Sequence, residues 1–170
     1  MSEGTPLDPV AVARIGVLVR TRLIGLHQLI AWADAWVTAL EAPPTWLTEL
    51  CTVRTEDAAR GLLSDASAFP SDPAGHDAWN AEFLACLLLR HRNGALSWAD
   101  FLDASGRYLD AAGGSRGCEE FFMQLNLLER MGYPEDLARA QREDIERSLV
   151  GALERMESAH RRFEAEARGD

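Results

Sequence analysis

Glu157 and His160 stand three residues apart, with Glu154 one turn before them, a spacing that puts carboxylate and imidazole on one face of a helix. Dimetal four-helix bundles use this ExxH pair because both groups then aim at the same ion. Such a centre needs the pair twice, and no other glutamate of the chain is followed three residues later by histidine. A solvated helix face is therefore the expectation for Glu154, Glu157 and His160, with a metal-binding or enzymatic bundle as the alternative. His76 lies in a Pro/Gly-rich segment between Asp72 and Asp77, where a metal cluster is conceivable but loop histidines beside carboxylates are common. His91 falls between Arg90 and Arg92 at an expected helix end, where cations suit the dipole, and His27 near an expected helix start.

Nucleophilic chemistry finds no better footing. Cys51, Cys86 and Cys118 lie in apolar helical stretches, which raise a thiol pKa rather than activate it. Glu119 and Glu120 adjoin Cys118, but neighbours along a helix face different ways. All 17 basic residues are arginines, which excludes a Walker-type phosphate loop, a Schiff-base lysine and a Ser/Lys dyad. No catalytic residue, metal or cofactor is expected, and the chain reads as a non-enzyme. An odd number of cysteines without CxxC spacing suits buried thiols in a reducing compartment.

The charge is more informative. The net value is −10, and from Asp34 to Glu82 nine carboxylates face two arginines, Arg54 and Arg60, leaving −7 in this segment. Such a surface repels phosphate backbones and anionic lipid and speeds association with basic partners, so neither nucleic acid nor membrane is expected as a partner. The first residues, MSEGTPLDPV, carry Glu3 and Asp8 where a signal peptide needs positive charge. The apolar run over 10–30 is interrupted by Arg14, Arg20 and Arg22, which no transmembrane span tolerates. A cytoplasmic location is the expectation.

The elements that position these residues are all helical. A chain of 170 residues, 47% hydrophobic, is long enough for one domain that buries roughly 70% of its unfolded surface. Asp8 before Pro9 is a cap followed by a first-turn proline and opens a helix to about 22. A second helix covers about 27–42 and must stop at Pro43 and Pro44. Thr45 caps a short helix over 46–52, and Thr55 followed by Glu56 and Asp57 opens another that ends near 68. FPSDPAGH, at 69–76, reads as a loop, and Phe83 to Leu89 as the middle of a helix over 77–92 that is apolar all round. Ser97 with Asp100 resembles a capping box, Ser115 caps the next helix, and Pro134 with Glu135 and Asp136 starts the longest. In that last helix Ile145, Leu149, Ala152, Met156, Ala159 and Phe163 form a heptad seam. The fold expected is all-α, a single-domain bundle of about seven helices with a long C-terminal helix, monomeric or homodimeric through the seam.

Trp32, Trp36 and Trp46 fall within fifteen residues of one another in the acidic segment. Aromatic rings among carboxylates suit recognition of a basic protein, though the same rings can equally pack in the core. The stretch AWADAWVTALEAPPTWLTEL has a WAD-containing helix, an acidic residue, two prolines, an aromatic and LTEL. It resembles a segment of small, uncharacterised all-helical bacterial proteins of the immunity type that accompany toxin systems, over Leu23 to Cys51. The resemblance implies a cytoplasmic binder whose acidic surface masks a toxin's basic site. The expected function is therefore a protein-binding module, with Asp34, Glu41, Trp46, Glu49, Glu56 and Asp57 as the partner surface. A homodimeric structural protein is the further alternative.

Overall fold

The Asp8 carboxylate accepts a hydrogen bond from the Val10 N–H at 3.4 Å, and Pro9, which lacks an N–H to satisfy, occupies the first helical position. From this start α1 runs Pro9–Arg20. It ends in a left-handed turn, with Arg22 at φ 58° and the Leu23 N–H donated back to the Leu18 carbonyl at 2.9 Å. The computed structural model describes residues 7–68, 73–112 and 117–168. Among these there are eight helices and no strand.

Gly25 breaks the chain between α1 and α2 (Leu26–Ala39), and the Gln28 side chain reaches back to accept from its N–H at 2.7 Å. α2 stops three residues short of the expected end. The short α3 (Thr45–Leu50) is capped by the backbone of Pro44, so Thr45 is its first residue and not its cap. No side chain caps the helix, and the Thr48 hydroxyl donates to the Thr45 carbonyl at 2.7 Å. α4 (Glu56–Ala66) starts as expected, with the Thr55 hydroxyl accepting from the Ala58 N–H at 3.2 Å.

α5 (Pro73–Arg92) corrects the loop expected over 69–76, because proline at a first helical position is tolerated and the helix opens there. Phe69 to Asp72 lie outside the described residues. Every side chain from Glu82 to Leu89 is buried, as a helix apolar all round requires. Gly94, at φ 75°, ends it. In α6 (Trp98–Ala111) Ser97 caps through the Asp100 N–H at 3.1 Å and donates its hydroxyl to the Asp100 carboxylate at 2.6 Å. α7 spans Gly117–Arg130 and α8 Glu135–Arg168; the cap expected from Ser115 lies outside the described residues. The heptad seam of α8 is covered by its own chain, with Met156 and Phe163 essentially inaccessible and only Ala159 half-buried.

The described residues form two compact units. One takes those up to Trp79 and from Arg155 onward, the other those from Asn80 to Glu154. In the first, α1 packs on α4 and α3 packs on both α2 and α4, around Leu18, Leu29, Trp32, Leu47, Leu50, Leu63 and Phe163. In the second, α6 packs along α7, with Phe101, Leu102, Leu88 and Leu128 fully buried. A polar relay threads this second core: the Trp98 Nε1 donates to Gln141 Oε1 at 2.9 Å, and Gln141 Nε2 to the Gln124 carbonyl at 3.0 Å. Buried polar atoms must be paired in this way to offset their desolvation.

Candidate functional site

The residues that the alternative reading would give to a metal do not form a cluster. Glu154 is exposed, Glu157 half-buried, and the His160 Nε2 lies 3.8 Å from Glu164, one turn further on. His76 is exposed, and Asp72 lies outside the described residues. Among the described residues no group of three or more His, Cys, Asp or Glu could hold an ion. His91 is part of the packing: its Nδ1 sits 2.9 Å from the Leu96 carbonyl, and its ring tilts on Trp98 at 5.3 Å.

Cys51 is the half-buried thiol. Burial first, then the Asp34 carboxylate beside it through hydrogen bonding and charge, push its pKa from 9.0 up to about 11. A thiol so raised is almost fully protonated at neutral pH and is no nucleophile. Asp34 thus lies beside Cys51, the residue that follows α3.

Of the expected partner surface, Asp34, Glu41, Glu49 and Asp57 are exposed, and Trp46 and Glu56 are half-buried. Glu56 stands 3.9 Å from Arg22, and Asp57 pairs with Arg60. Glu41 and Glu49 form no ion pair among the described residues. All six residues belong to the first unit. The two tryptophans of α2 are tied to α8 instead. Trp32 is fully buried, its Nε1 donating to Glu166 Oε2 at 2.8 Å; Trp36 is half-buried and donates to the same oxygen at 3.3 Å. Arg162 holds the other oxygen of that carboxylate at 2.7 Å. Glu166 is thus a structural clasp, and Trp46 is the one aromatic left beside the acidic corner.

A stronger surface signal lies on α7, and the sequence reading did not single it out. One side of this helix carries buried Cys118, Phe121 and Leu128. The opposite side presents Met123 and Leu127, and Met131, just past the helix end with its N–H on the Leu127 carbonyl, continues the step of four; they are exposed by 66%, 46% and 62%. Steps of four keep side chains on one stripe, so these three run along two turns, a length of about 12 Å. Tyr133 extends the apolar surface at 57% exposure. It is set by a turn in which Gly132 and Tyr133 have φ of 75° and 60°, and the Tyr133 N–H donates to the Leu128 carbonyl at 2.9 Å. A bulky residue at positive φ is uncommon, and such strain recurs at functional positions.

The stripe is bounded by charge. Glu119, one step of four before Met123, and Glu120 are exposed at its first end; Glu135 and Asp136 are exposed beyond Tyr133, and Arg130 flanks Met131. Isolated exposed apolar side chains are ordinary; several at one helical spacing among charged neighbours are less so. A signal for it exists in the sequence: FFMQLNLLERM has more apolar positions than one buried face needs.

No helix among the described residues is long and apolar enough to cross a membrane. The chain matches no protein-family model, no curated protein and no solved structure.

Proposed function

We propose that this protein is a non-enzymatic binding module that takes a basic, amphipathic helix of a partner protein on the outer face of α7. The observation that carries the reading is the exposed row Met123, Leu127, Met131 with Tyr133, closed at both ends by carboxylates. An amphipathic helix lays anchors at i, i+3 or i+4 and i+7 into such a surface, and each well-covered anchor contributes about 2 kcal/mol. Methionine adapts its shape to different anchors. The flanking Glu119, Glu120, Glu135 and Asp136 select arginine or lysine near the ends of the incoming helix and disfavour a second copy of this acidic chain. Glu119 and Glu120 also suit the positive end of the α7 dipole, a structural role compatible with the first.

The test uses a fluorescein-labelled amphipathic peptide of leucine and lysine, about 20 residues long, followed by anisotropy at low and high salt. Binding that weakens with salt and falls roughly tenfold or more in Met123→Ser/Leu127→Ser supports the reading, since two lost anchors are worth at least about 1.4 kcal/mol. Equal binding by that variant, with helicity unchanged, overturns it. A concentration-dependent mass that Leu127→Asp abolishes also overturns it, by making the occupant a second copy.

The exposed Glu41 and Glu49 favour a second reading, in which the corner of α2, α3 and α4 is the contact. Its sharpest form is a cytoplasmic immunity or antitoxin protein that covers a basic toxin site with Asp34, Glu41, Trp46, Glu49, Glu56 and Asp57. Against a cognate basic partner, Glu41→Arg/Glu49→Arg then slows association severalfold at low salt and leaves dissociation nearly unchanged, as measured by stopped flow. An unchanged association rate removes this corner from the interface.

A further inference from the structure

Within the first unit, α1 and α4 pack together and line, with Trp79 of α5, a half-open pocket of about 400 Å³. That is the size of a small-molecule site. Gly16 and Gly61 line it from the interiors of α1 and α4, where glycine costs roughly 1 kcal/mol relative to alanine. Packing asks for neither. A methyl group at Gly61 would meet nothing within 4 Å, and one at Gly16 would touch only the Leu63 Cβ at 3.9 Å. What the two glycines do is keep the space open, a local rule broken without a structural return.

The same walls carry Arg20 and Arg60, two guanidiniums together in a chain of net charge −10. Both are already engaged within the protein, Arg60 through one terminal nitrogen on Asp57. A guanidinium presents five N–H donors in a fork suited to an oxyanion, so that contact leaves most of the fork for a ligand. Trp79, half-buried, supplies a flat apolar wall, and Ser64 a hydroxyl.

We propose that this pocket binds a small ligand made of one anionic group, carboxylate, sulfonate or phosphate, on a planar apolar body. Arg20 and Arg60 take the anion, and the body lies against Trp79 in the volume that Gly16 and Gly61 leave clear. No lining residue of the pocket belongs to the α7 row or to the six acidic-corner positions, although Arg60 is paired with Asp57 of that corner.

The probe is 8-anilinonaphthalene-1-sulfonate, an aryl sulfonate, titrated against the whole chain by fluorescence and calorimetry. One saturable site per chain is expected. N-phenyl-1-naphthylamine, the same body without the sulfonate, is expected to bind roughly tenfold or more weakly, because a charge-assisted hydrogen bond contributes more than that ratio requires. Gly61→Leu fills the pocket and abolishes binding, and Arg20→Gln/Arg60→Gln weakens it roughly tenfold or more. Met123→Ser/Leu127→Ser, on α7, leaves it unchanged. Dye binding that survives both pocket variants, that disappears with the α7 variant instead, or that never saturates overturns the proposal. Should Gly61→Leu lose helicity, the arginine pair at unchanged melting temperature decides alone, since both side chains reach the surface.

Discussion

Trp32→Ala lowers the stability of the protein by about 3–5 kcal/mol, read as a shift of the urea midpoint at unchanged slope. The side chain is fully buried, stacks on Phe163 with ring centroids 6.0 Å apart and planes 24° from parallel, and donates to Glu166. Alanine removes the whole indole and leaves a cavity between α2 and the end of α8, which a rigid core fills only in part. The hydrogen bond is the smaller share. In Trp32→Phe most of the ring volume remains, while Glu166 keeps Trp36 at 3.3 Å and Arg162 at 2.7 Å. That variant is therefore expected to cost only about 1–1.5 kcal/mol. Equal losses in the two variants would show that the carboxylate contact, and not the packing, holds this corner.

Trp32 also marks the boundary of what the chain discloses locally. Helix starts are legible at Asp8, Thr55 and Ser97 because a cap needs only a side chain and an N–H two or three residues on. The buried run of α5 and the heptad seam of α8 are legible because periodicity and composition decide them. The clasp on Glu166 is different: its partners are 134 and 130 residues away, and no spacing pattern reports a contact at that separation. The start of α5 at Pro73 was hidden because proline serves a first helical turn as well as a loop.

The candidate sites divide along the same line. The acidic corner follows from counting charges, and the structure does expose Asp34, Glu41, Glu49 and Asp57. The row on α7 does not follow from counting. The spacing of Phe121, Phe122, Leu125 and Leu128 suits one wide core face, yet Phe122 and Leu125 are only half-buried. A helix apolar nearly all round does not say which side is covered; the approach of α6 decides it, and leaves Met123, Leu127 and Met131 outside. The pocket likewise exists only once α1 and α4, far apart in sequence, are brought together.

That approach of α6 depends on Gly106, and its replacement gives a sign reversal that can be measured. Alanine is favoured over glycine inside a helix by roughly 1 kcal/mol. Here, however, a Cβ would stand 2.7 to 3.0 Å from three atoms of the Phe122 ring, well inside contact distance. Overpacking of this kind costs about 1–3 kcal/mol, so Gly106→Ala is expected to destabilise the protein by about 1–2 kcal/mol despite its propensity. Phe122→Ala removes the ring from the contact. In that background only the propensity remains, and Gly106→Ala becomes stabilising by about 1 kcal/mol, a coupling of about 2–3 kcal/mol between the two positions. Urea unfolding of the four proteins measures it. If Gly106→Ala has the same effect with and without Phe122, this glycine does not set the spacing of α6 and α7. If the sign reverses, the missing methyl group at Gly106 is what lets α6 and α7 pack this closely.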